Sequence, residues 1–435
     1  MKPKQIYAAL DIGSYDIKLI VGEFHNTRRV NVIRVERVQC SGIQNCHIVD
    51  KDEVSKAIMQ ALKNVNDLLQ VQIERVLLSI PAVGLEQISK RIAIPIRHED
   101  RKITLNDLQE AIQSVYRSGV PSYKLMINVV PVKYFVDGLA TRRLPVGETC
   151  DRLEVVCDAF CVDKRVALEY CSVVEKAGLE ILDIYVQPYA DAKEANILEQ
   201  SVDCNYIFMN IGHETTTLSY FMKGRLADSV SLNWGVGIVD YKISQSFNIS
   251  IETANRLKQY NAHLFPDRVS DKPIYIWSTQ GVNYSMNEKQ LFEVLTSALE
   301  EFLFKVTETL GDALTNQKVK VVLGGGGGEF YELAELASNR LGCEVVTYIP
   351  ETMGARSSSL ITCLGLFYAF NDACEYTLND AISIDSFKFA ESVVPSKTRE
   401  HEEGFTSRLK GLLFNENRDR NKEWKYEWIT VRISS

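Results

Sequence analysis

Residues 6–22, IYAALDIGSYDIKLIVG, and residues 205–222, NYIFMNIGHETTTLSYFM, decide the fold. Each is an apolar run that meets a polar side chain, Asp11 or Asn210, then isoleucine and glycine, and then a second apolar run. Such runs, broken by a glycine turn, read as buried strands of an antiparallel meander. A third strand-like stretch follows in each copy, VNVIRVERVQ at 30–39 and RLADSVSL at 225–232. A repeat of this kind implies two like domains facing each other, with the ligand cleft between them.

Outward from the first copy, Asp52 to Leu69 reads as a helix capped by Asp52, because Val54, Ile58, Ala61, Leu62, Val65 and Leu69 recur at helical spacing. RVLLSIP (75–81) is a buried strand. From Ala82 to about Phe160 the character changes to mixed strands and one helix, LNDLQEAIQSVYR, opened by Thr104 or Asn106. The first style then resumes with helix 164–177, strand 179–185 and helix 189–199. A segment that leaves and rejoins one domain is most economically an inserted subdomain. In the second half, Val236 to Leu314 reads as largely helical, with a long amphipathic helix from Glu288. The strand KVKVVL then runs into five glycines (324–328), a helix EFYELAELASNRLG and a strand CEVVTYI.

The chain has 435 residues, 46% of them hydrophobic, which is too long for one ordinary core and too apolar for disorder. Its formal charge of −8 argues against binding nucleic acid through net charge. The balance is uneven: Ser396 to Ser435 carries nine Lys/Arg and seven Asp/Glu, leaving 40 against 50 before it. The ten cysteines form no CxxC and the six histidines no HExxH, so buried, reduced thiols of a cytosolic protein are expected rather than zinc. No run of about 18 apolar residues is present to span a bilayer.

The turns carry the chemistry. In the first, the backbone N–H groups of Gly13, Ser14 and Tyr15 are free to face a terminal phosphate, and Asp11 can hold a magnesium ion through water. The five glycines allow a purine and sugar to approach the backbone, and a helix N-terminus behind them would favour an anion. One turn alone is weak evidence; two, symmetric in the chain and joined by a glycine-rich loop after a strand, are much stronger.

The end of the chain is a different kind of signal. At about 100° per residue, GFTSRLKGLLF (404–414) puts Phe405, Leu409, Leu412 and Leu413 on one face. Arg408 and Lys410 flank that face, placed to reach lipid phosphates, and Phe414 points the other way. Burying a Leu or Phe fully is worth roughly 1.5–3 kcal/mol, so one copy is a marginal anchor and many copies on a polymer a firm one. KTREHEEG before it reads as a tether. In the tail, 415–435, Trp424, Tyr426 and Trp428 alternate with charge, as interfacial aromatics or as a disordered end.

These motifs together resemble the actin, hexokinase and heat-shock chaperone superfamily, and within it the FtsA family of bacterial cell-division proteins, over about residues 5–414 in order. The resemblance implies an α/β, actin-like two-lobed fold of duplicated βββαβαβα domains with an FtsA-type inserted subdomain, plus a C-terminal amphipathic helix. The implied division is 5–82 with 161–200 for the first lobe, 83–160 for the insertion, and 204–238 with 310–372 for the second lobe. A helical subdomain (239–309), a linker (373–403), a membrane-targeting helix (404–414) and an extra tail (415–435) complete it. It implies an actin-like filament on the cytoplasmic face of the membrane at the division septum, tying the FtsZ ring to anionic lipid and recruiting later division proteins. A pilus-assembly adaptor of the same fold, or a small-molecule kinase of the superfamily, is the alternative.

Carried over residue by residue, the resemblance places ATP and Mg²⁺ among Asp11, Gly13, Ser14, Tyr15 and Lys18 of the first phosphate loop and Asn210, Gly212, His213, Glu214 and Thr215 of the second. Gly235 and Gly237 form the connecting turn, Gly325, Gly326, Glu329 and Phe330 the adenosine loop, and Asn255 and Lys258 lie near the ribose or base. Three departures matter. Asn210 stands where the family has Asp and lacks the charge that holds a magnesium-bound water, Glu214 adds a negative charge near the phosphates unless it turns outward, and Asn255 stands near the position of a ribose-binding Glu. At most a slow ATPase is expected. The resemblance also assigns the C-terminal peptide of FtsZ to the helical subdomain. There the helix LFEVLTSALEEFLFKV lacks Arg and carries Glu300 and Glu301, leaving Arg256, Lys258 and Arg268, nearby in sequence, to substitute.

Overall fold

The computed structural model describes residues 5–24, 29–97, 99–315, 319–377, 381–385 and 389. The linker from 390 on, the expected membrane helix with Phe405, Arg408, Leu409, Lys410, Leu412, Leu413 and Phe414, and the tail 415–435 lie outside the described residues.

The first half opens with β1 (Gln5–Ile12), β2 (Asp16–Phe24) and β3 (Val30–Gln39), a meander in which Asp11 pairs across the strands with Lys18. A small hairpin, β4 (Ile43–Gln44) and β5 (His47–Ile48), leads to α1 (Lys51–Leu69) and β6 (Arg75–Ile80). Asp50, not Asp52, caps α1: its Oδ1 accepts the N–H groups of Asp52 (2.9 Å) and Glu53 (3.0 Å). Asp52 sits in the first turn instead and pairs with Lys176.

The chain then leaves this sheet. β7 (Glu86–Pro95), α2 (Leu105–Arg117), β8 (Lys124–Val136), β9 (Leu139–Thr141) and β10 (Arg152–Asp163) form a separate antiparallel sheet in the order β7-β10-β8-β9. Thr104 opens α2 with a capping box, in which Asp107 accepts the Thr104 N–H at 2.7 Å. The sheet and α2 enclose their own core, built on Leu108, Ala111, Val115, Leu153 and Val155. It is fastened to the second half where Arg225 Nε donates to the buried Asp158 at 2.7 Å.

Back in the first domain, α3 (Lys164–Lys176) and β11 (Glu180–Val186) lead to α4 (Gln187–Glu194) and α5 (Ile197–Gln200). The single helix expected over 189–199 is broken because Asn196 is left-handed, at φ 54°.

The second half repeats the first: β12 (Asn205–Ile211), β13 (Thr216–Met222) and β14 (Arg225–Leu232) form the meander. Next come α6 (Gly237–Phe247), α7 (Ile251–Asn261), β15 (Pro273–Thr279), β16 (Val282–Asn287), α8 (Glu288–Leu310) and the short α9 (Asp312–Thr315). β15 and β16 are an antiparallel hairpin inside the stretch expected to be helical, held by a ladder of Tyr275, Trp277 and Tyr284 rings at 5.4 and 5.6 Å. β17 (Val319–Gly324), α10 (Leu333–Leu341), β18 (Glu344–Thr347) and α11 (Ile361–Cys374) follow.

The two large sheets have the same topology. One runs β11-β6-β1-β2-β3 and the other, in the same sense, β18-β17-β12-β13-β14. In each, the first strand of the meander is antiparallel to the second and parallel to a later strand on its other side. The duplicated two-lobed α/β architecture is therefore present strand for strand.

The lobes exchange support at the floor between them. α11, the last helix of the second half among the described residues, packs along α4 and against β1, β2 and β6 of the first sheet. Gly365 makes this approach possible, since a Cβ there would lie 1.9 Å from the backbone oxygen of Ala190. One core runs from the first sheet through α11 to Tyr206, Phe208, Phe221 and Leu226 of the second. A second core covers the other face of the second sheet, where Trp234 stacks on Phe302 of α8 at 4.0 Å.

Gly365→Ala places a methyl group against a backbone atom that has nowhere to move. It is expected to destabilise the chain by about 1–3 kcal/mol or more, read as a lower urea midpoint; an unchanged midpoint would refute the helix contact.

Candidate functional site

A cavity of about 520 Å³ opens between the two lobes. The pair of glycine turns lines it. In the first, the Gly13 N–H closes on the Asp16 oxygen at 3.2 Å; in the second, the Gly212 N–H closes on the Thr215 oxygen at 2.9 Å. The same four-residue turn thus ends the first strand of each meander, and both face one space. Of the residues expected at a nucleotide site, Asp11, Gly13, Ser14, Tyr15, Lys18, Asn210, Gly212, His213, Thr215, Asn255, Lys258, Gly325, Gly326, Glu329 and Phe330 line this cavity.

Three do not. Gly235 and Gly237 seat His213: a Cβ at Gly235 would fall 2.3 Å from the His213 oxygen, and one at Gly237 would fall 2.6 Å from its ring. Glu214 turns outward, where its Oε2 accepts the Asn45 N–H at 2.8 Å from the β4–β5 hairpin of the other lobe. Cys46 Sγ lies 3.4 Å from Thr215 Oγ1, and the Tyr15 ring 5.0 Å from that of His213, so this rim of the cleft is bridged from both sides. Burial lowers the His213 pKa, and its ring is neutral near pH 7.

Lys18 Nζ sits between two carboxylates, 3.1 Å from Asp11 Oδ2 and 3.0 Å from Asp16 Oδ1. Burial opposes its charge, but Asp11 and Asp16 outweigh burial and hold its pKa above the ordinary lysine value. Ser79 donates to Asp11 Oδ1 at 2.7 Å, so both oxygens of Asp11 are engaged. At the opposite end Lys258 pairs with Asp240 at 2.7 Å, and burial pushes Asp240 up despite that partner.

The glycine run behaves differently from its expected form. α10 begins only at Leu333, so no helix N-terminus stands directly behind the glycines. Tight turns intervene, with Gly328 N–H on Gly325 O at 3.0 Å and Phe330 N–H on Gly327 O at 3.2 Å. Glu332 is left-handed at φ 62° and reaches away, accepting the Leu264 N–H at 2.6 Å. Gly325 has φ +76°, and a Cβ there would lie 2.3 Å from Asn210 Oδ1.

Asn210 lines the cavity and is held from behind. Its Nδ2 donates to Asp191 Oδ2 at 2.7 Å, while Thr362 Oγ1 donates to Asp191 Oδ1 at 2.7 Å. The Asn210 amide nitrogen is therefore committed to a buried carboxylate of α4, and the side chain, as expected, brings no charge of its own. Burial raises the Asp191 carboxyl to about 7 although both neighbours donate to it. Asp191 was missed because its helix, QPYADAKE, gives no local sign that one acid faces inward. Ser79, Asp240, Ser359 and Thr362 also line the site or support it, and only contacts distant in sequence reveal them. Among the described residues no group of three or more His, Cys, Asp and Glu is arranged to hold a metal ion by itself.

The expected partner cations need correction too. Arg268 is not available: its two terminal nitrogens each lie 2.9 Å from Glu335, and Nη1 lies 3.0 Å from Glu332. The acids of α8 are likewise paired, Glu301 with Lys242 and Lys305 at 2.9 Å each and Glu300 with Arg340. Arg256 is exposed on α7.

The fold and cleft define a protein of the actin-like ATPase fold. The PilM–PilN type IV pilus biogenesis complex matches with a TM-score of 0.56 at 16% identity, covering 83% of this chain and 98% of that one. MreB5 of Spiroplasma citri bound to ADP matches with a TM-score of 0.51 at 14% identity, covering 87% and 99%. Within that fold, a sequence model described as cell division protein FtsA matches residues 207–365, and one described as the SHS2 domain inserted in FtsA matches residues 84–159. The chain is 28% identical over 403 residues to the cell division protein FtsA of Staphylococcus epidermidis, covering 90% of this chain and 84% of that protein. It is 26% identical over 369 residues to FtsA of Bacillus subtilis, covering 84% and 83%. The chain belongs to the FtsA family of cell-division proteins.

A second buried acid of α4, away from the cavity, gives the fold a pH signature. Burial raises Glu194 to about 7, although Tyr348 donates to it, so between about pH 4.5 and 7 the folded chain holds a proton that the unfolded chain has released. This contribution is greatest at the acid end and is lost as pH rises through 7. Against Glu194→Gln, the stability advantage of the natural chain should fall by roughly 1 kcal/mol per pH unit from pH 5 to 7, measured by urea unfolding. A pH-independent difference would contradict it.

Proposed function

We propose that this chain is an ATP-binding, filament-forming adaptor that ties the FtsZ ring to the cytoplasmic membrane at the septum and recruits later division proteins. The observation that carries the nucleotide part is the pair of matching turns, Gly13 on Asp16 and Gly212 on Thr215, facing one cavity beside a glycine loop. The charge of the lining fits a metal-bound nucleotide. Four carboxylates (Asp11, Asp16, Asp240 and Glu329) against three cations (Lys18, Arg37 and Lys258) leave the cavity short of positive charge for a triphosphate alone. A divalent ion such as Mg²⁺ would supply that charge, with Asp11 and Asn210 as the oxygen-bearing side chains on the phosphate side. Lys18 would meet the phosphates, Gly325 and Gly326 the sugar and base, and Glu214, turned onto Asn45, adds no charge at the phosphates.

The family supports the adaptor part, and the basic, amphipathic 404–414 segment supports the membrane part. Among the described residues no helix is long and apolar enough to cross a membrane; the attachment proposed is a surface-lying helix. Liposome co-sedimentation of the full chain with ATP, against the chain cut after Glu403, tests this. The full chain should pellet with anionic vesicles and the cut chain should not; equal pelleting would remove the anchor. Pull-down with FtsZ separates this reading from a pilus-assembly adaptor, and substrate-dependent ATP consumption from a small-molecule kinase.

Hydrolysis is assigned a minor role, because Asn210 is bonded to Asp191 and Lys18 to two carboxylates in the resting cleft. ATP turnover by the purified chain should stay below about 1 per second; sustained turnover of about 10 per second or more would contradict it. For the FtsZ peptide, Arg256→Glu is the discriminating change, since Arg268→Glu would break the pairs with Glu332 and Glu335. Arg256→Glu should weaken peptide binding severalfold, as loss of one exposed charge does, and unchanged affinity in a peptide titration would take Arg256 out of the site.

A further inference from the structure

The two halves of the cleft differ at one point of their repeat. Asp11, next to last in β1, faces the cavity with its own charge, and Asn210, at the matching place in β12, has none. Behind Asn210, 2.7 Å away, lies Asp191, and that carboxylate is 1% exposed and does not reach the cavity. Its second oxygen is held by Thr362 of α11. Asn210 is in turn fixed from the other side, where Gly325 leaves space for its Oδ1 that any Cβ would fill.

We propose that Asp191 is a positioning residue of the nucleotide site: it supplies from behind the charge that the second turn lacks, and it orients Asn210 so that its amide nitrogen points inward and its oxygen toward the glycine loop. The inference rests on the nucleotide-binding reading above. Burial raises Asp191 to about 7, so at pH 8 it is ionised; an ionised carboxylate accepts hydrogen bonds and cannot donate, so its contact with Asn210 fixes which end of the amide is turned away from it. A charge one hydrogen bond from the cavity still lowers the local potential, because little water intervenes to screen it. The cavity's own electrostatics agree, since Asp191 interacts with both Asp11 and Lys18. The side of the cleft at Asn210 thereby presents a neutral oxygen backed by a buried negative charge, a setting suited to a hydrated divalent cation. Thr362 adds a consequence: the residue that orients the second turn is also bonded to the helix that crosses between the lobes.

The test is a transposition of the charge in the full chain, using Asn210→Asp, Asp191→Asn and the double variant, at pH 8. Thermal unfolding is measured without nucleotide, and ATP affinity is measured with and without Mg²⁺. Asn210→Asp alone brings two carboxylates into contact and should lower the unfolding temperature. The double variant, in which the amide and the carboxylate exchange places and the hydrogen bond between them runs in the opposite sense, should recover it. Asp191→Asn should weaken ATP binding about tenfold in Mg²⁺, the loss of one charge-assisted contact, with little change in its absence. The double variant should regain most of that Mg²⁺-dependent affinity. Recovery of the unfolding temperature without any effect of Asp191→Asn on Mg²⁺ dependence would make Asp191 purely structural and overturn the proposal. A natural chain that binds no ATP in either condition would overturn both the nucleotide reading and this one. ATP binding that Mg²⁺ fails to strengthen in the natural chain would overturn this one alone.

Discussion

Everything in this molecule hangs on two helices that touch without side chains between them. Gly365 of α11 lies against the Ala190 backbone of α4, and the next residue of α4, Asp191, bonds Thr362 of α11 and Asn210 of the second sheet. α4 lies near the end of the first half of the chain and α11 is the last helix of the second half among the described residues, yet α11 packs on the first sheet. The crossing therefore ties the lobes at their floor and leaves the opposite side, where the two turns face each other, as the natural opening. The position of the cleft follows from that constraint, because a cavity between two lobes forms where they are not fastened.

Above the floor, the cleft is spanned by lighter contacts of several kinds. Glu214 takes the Asn45 N–H, Cys46 meets Thr215, Tyr15 packs beside His213, and Arg37 of the first lobe bonds Ser359 of the second. These are partly exposed and individually weak, whereas the floor is buried and charge-assisted. The expected order of opening is thus rim first, floor last. A ligand that replaces rim contacts by bonds to both turns would draw the lobes together by its differential affinity for the closed form.

The duplication was legible in the residues because a buried strand, a glycine turn and a second buried strand leave a strong local pattern, and it appears twice. Most expected nucleotide-site residues line the cavity for the same reason: turn glycines and the polar residues beside them carry their function locally. What escaped the sequence was set by distance. Asp50 rather than Asp52 caps α1 because the cap depends on where the backbone first turns. The β15–β16 hairpin was hidden inside an apolar and aromatic stretch that helix and strand periodicity describe equally well. α10 starts late because Glu332 is drawn toward Leu264 and Arg268 of the helical subdomain. Asp191, Ser79 and Thr362 belong to elements read as plain core, and only tertiary contact gives them a role. Arg268 shows the reverse error, a cation that looked available until its two glutamates were found.

The central claim is that the two matching turns grip one nucleotide together. Hydrogen exchange of the purified chain with and without ATP and Mg²⁺ tests it most directly, since the amides in question belong to the backbone at 13–15 and 212–215. Protection of both turns at once, with the glycine loop at 325–330, is the predicted result. Protection confined to one turn, or none at either, would contradict the account.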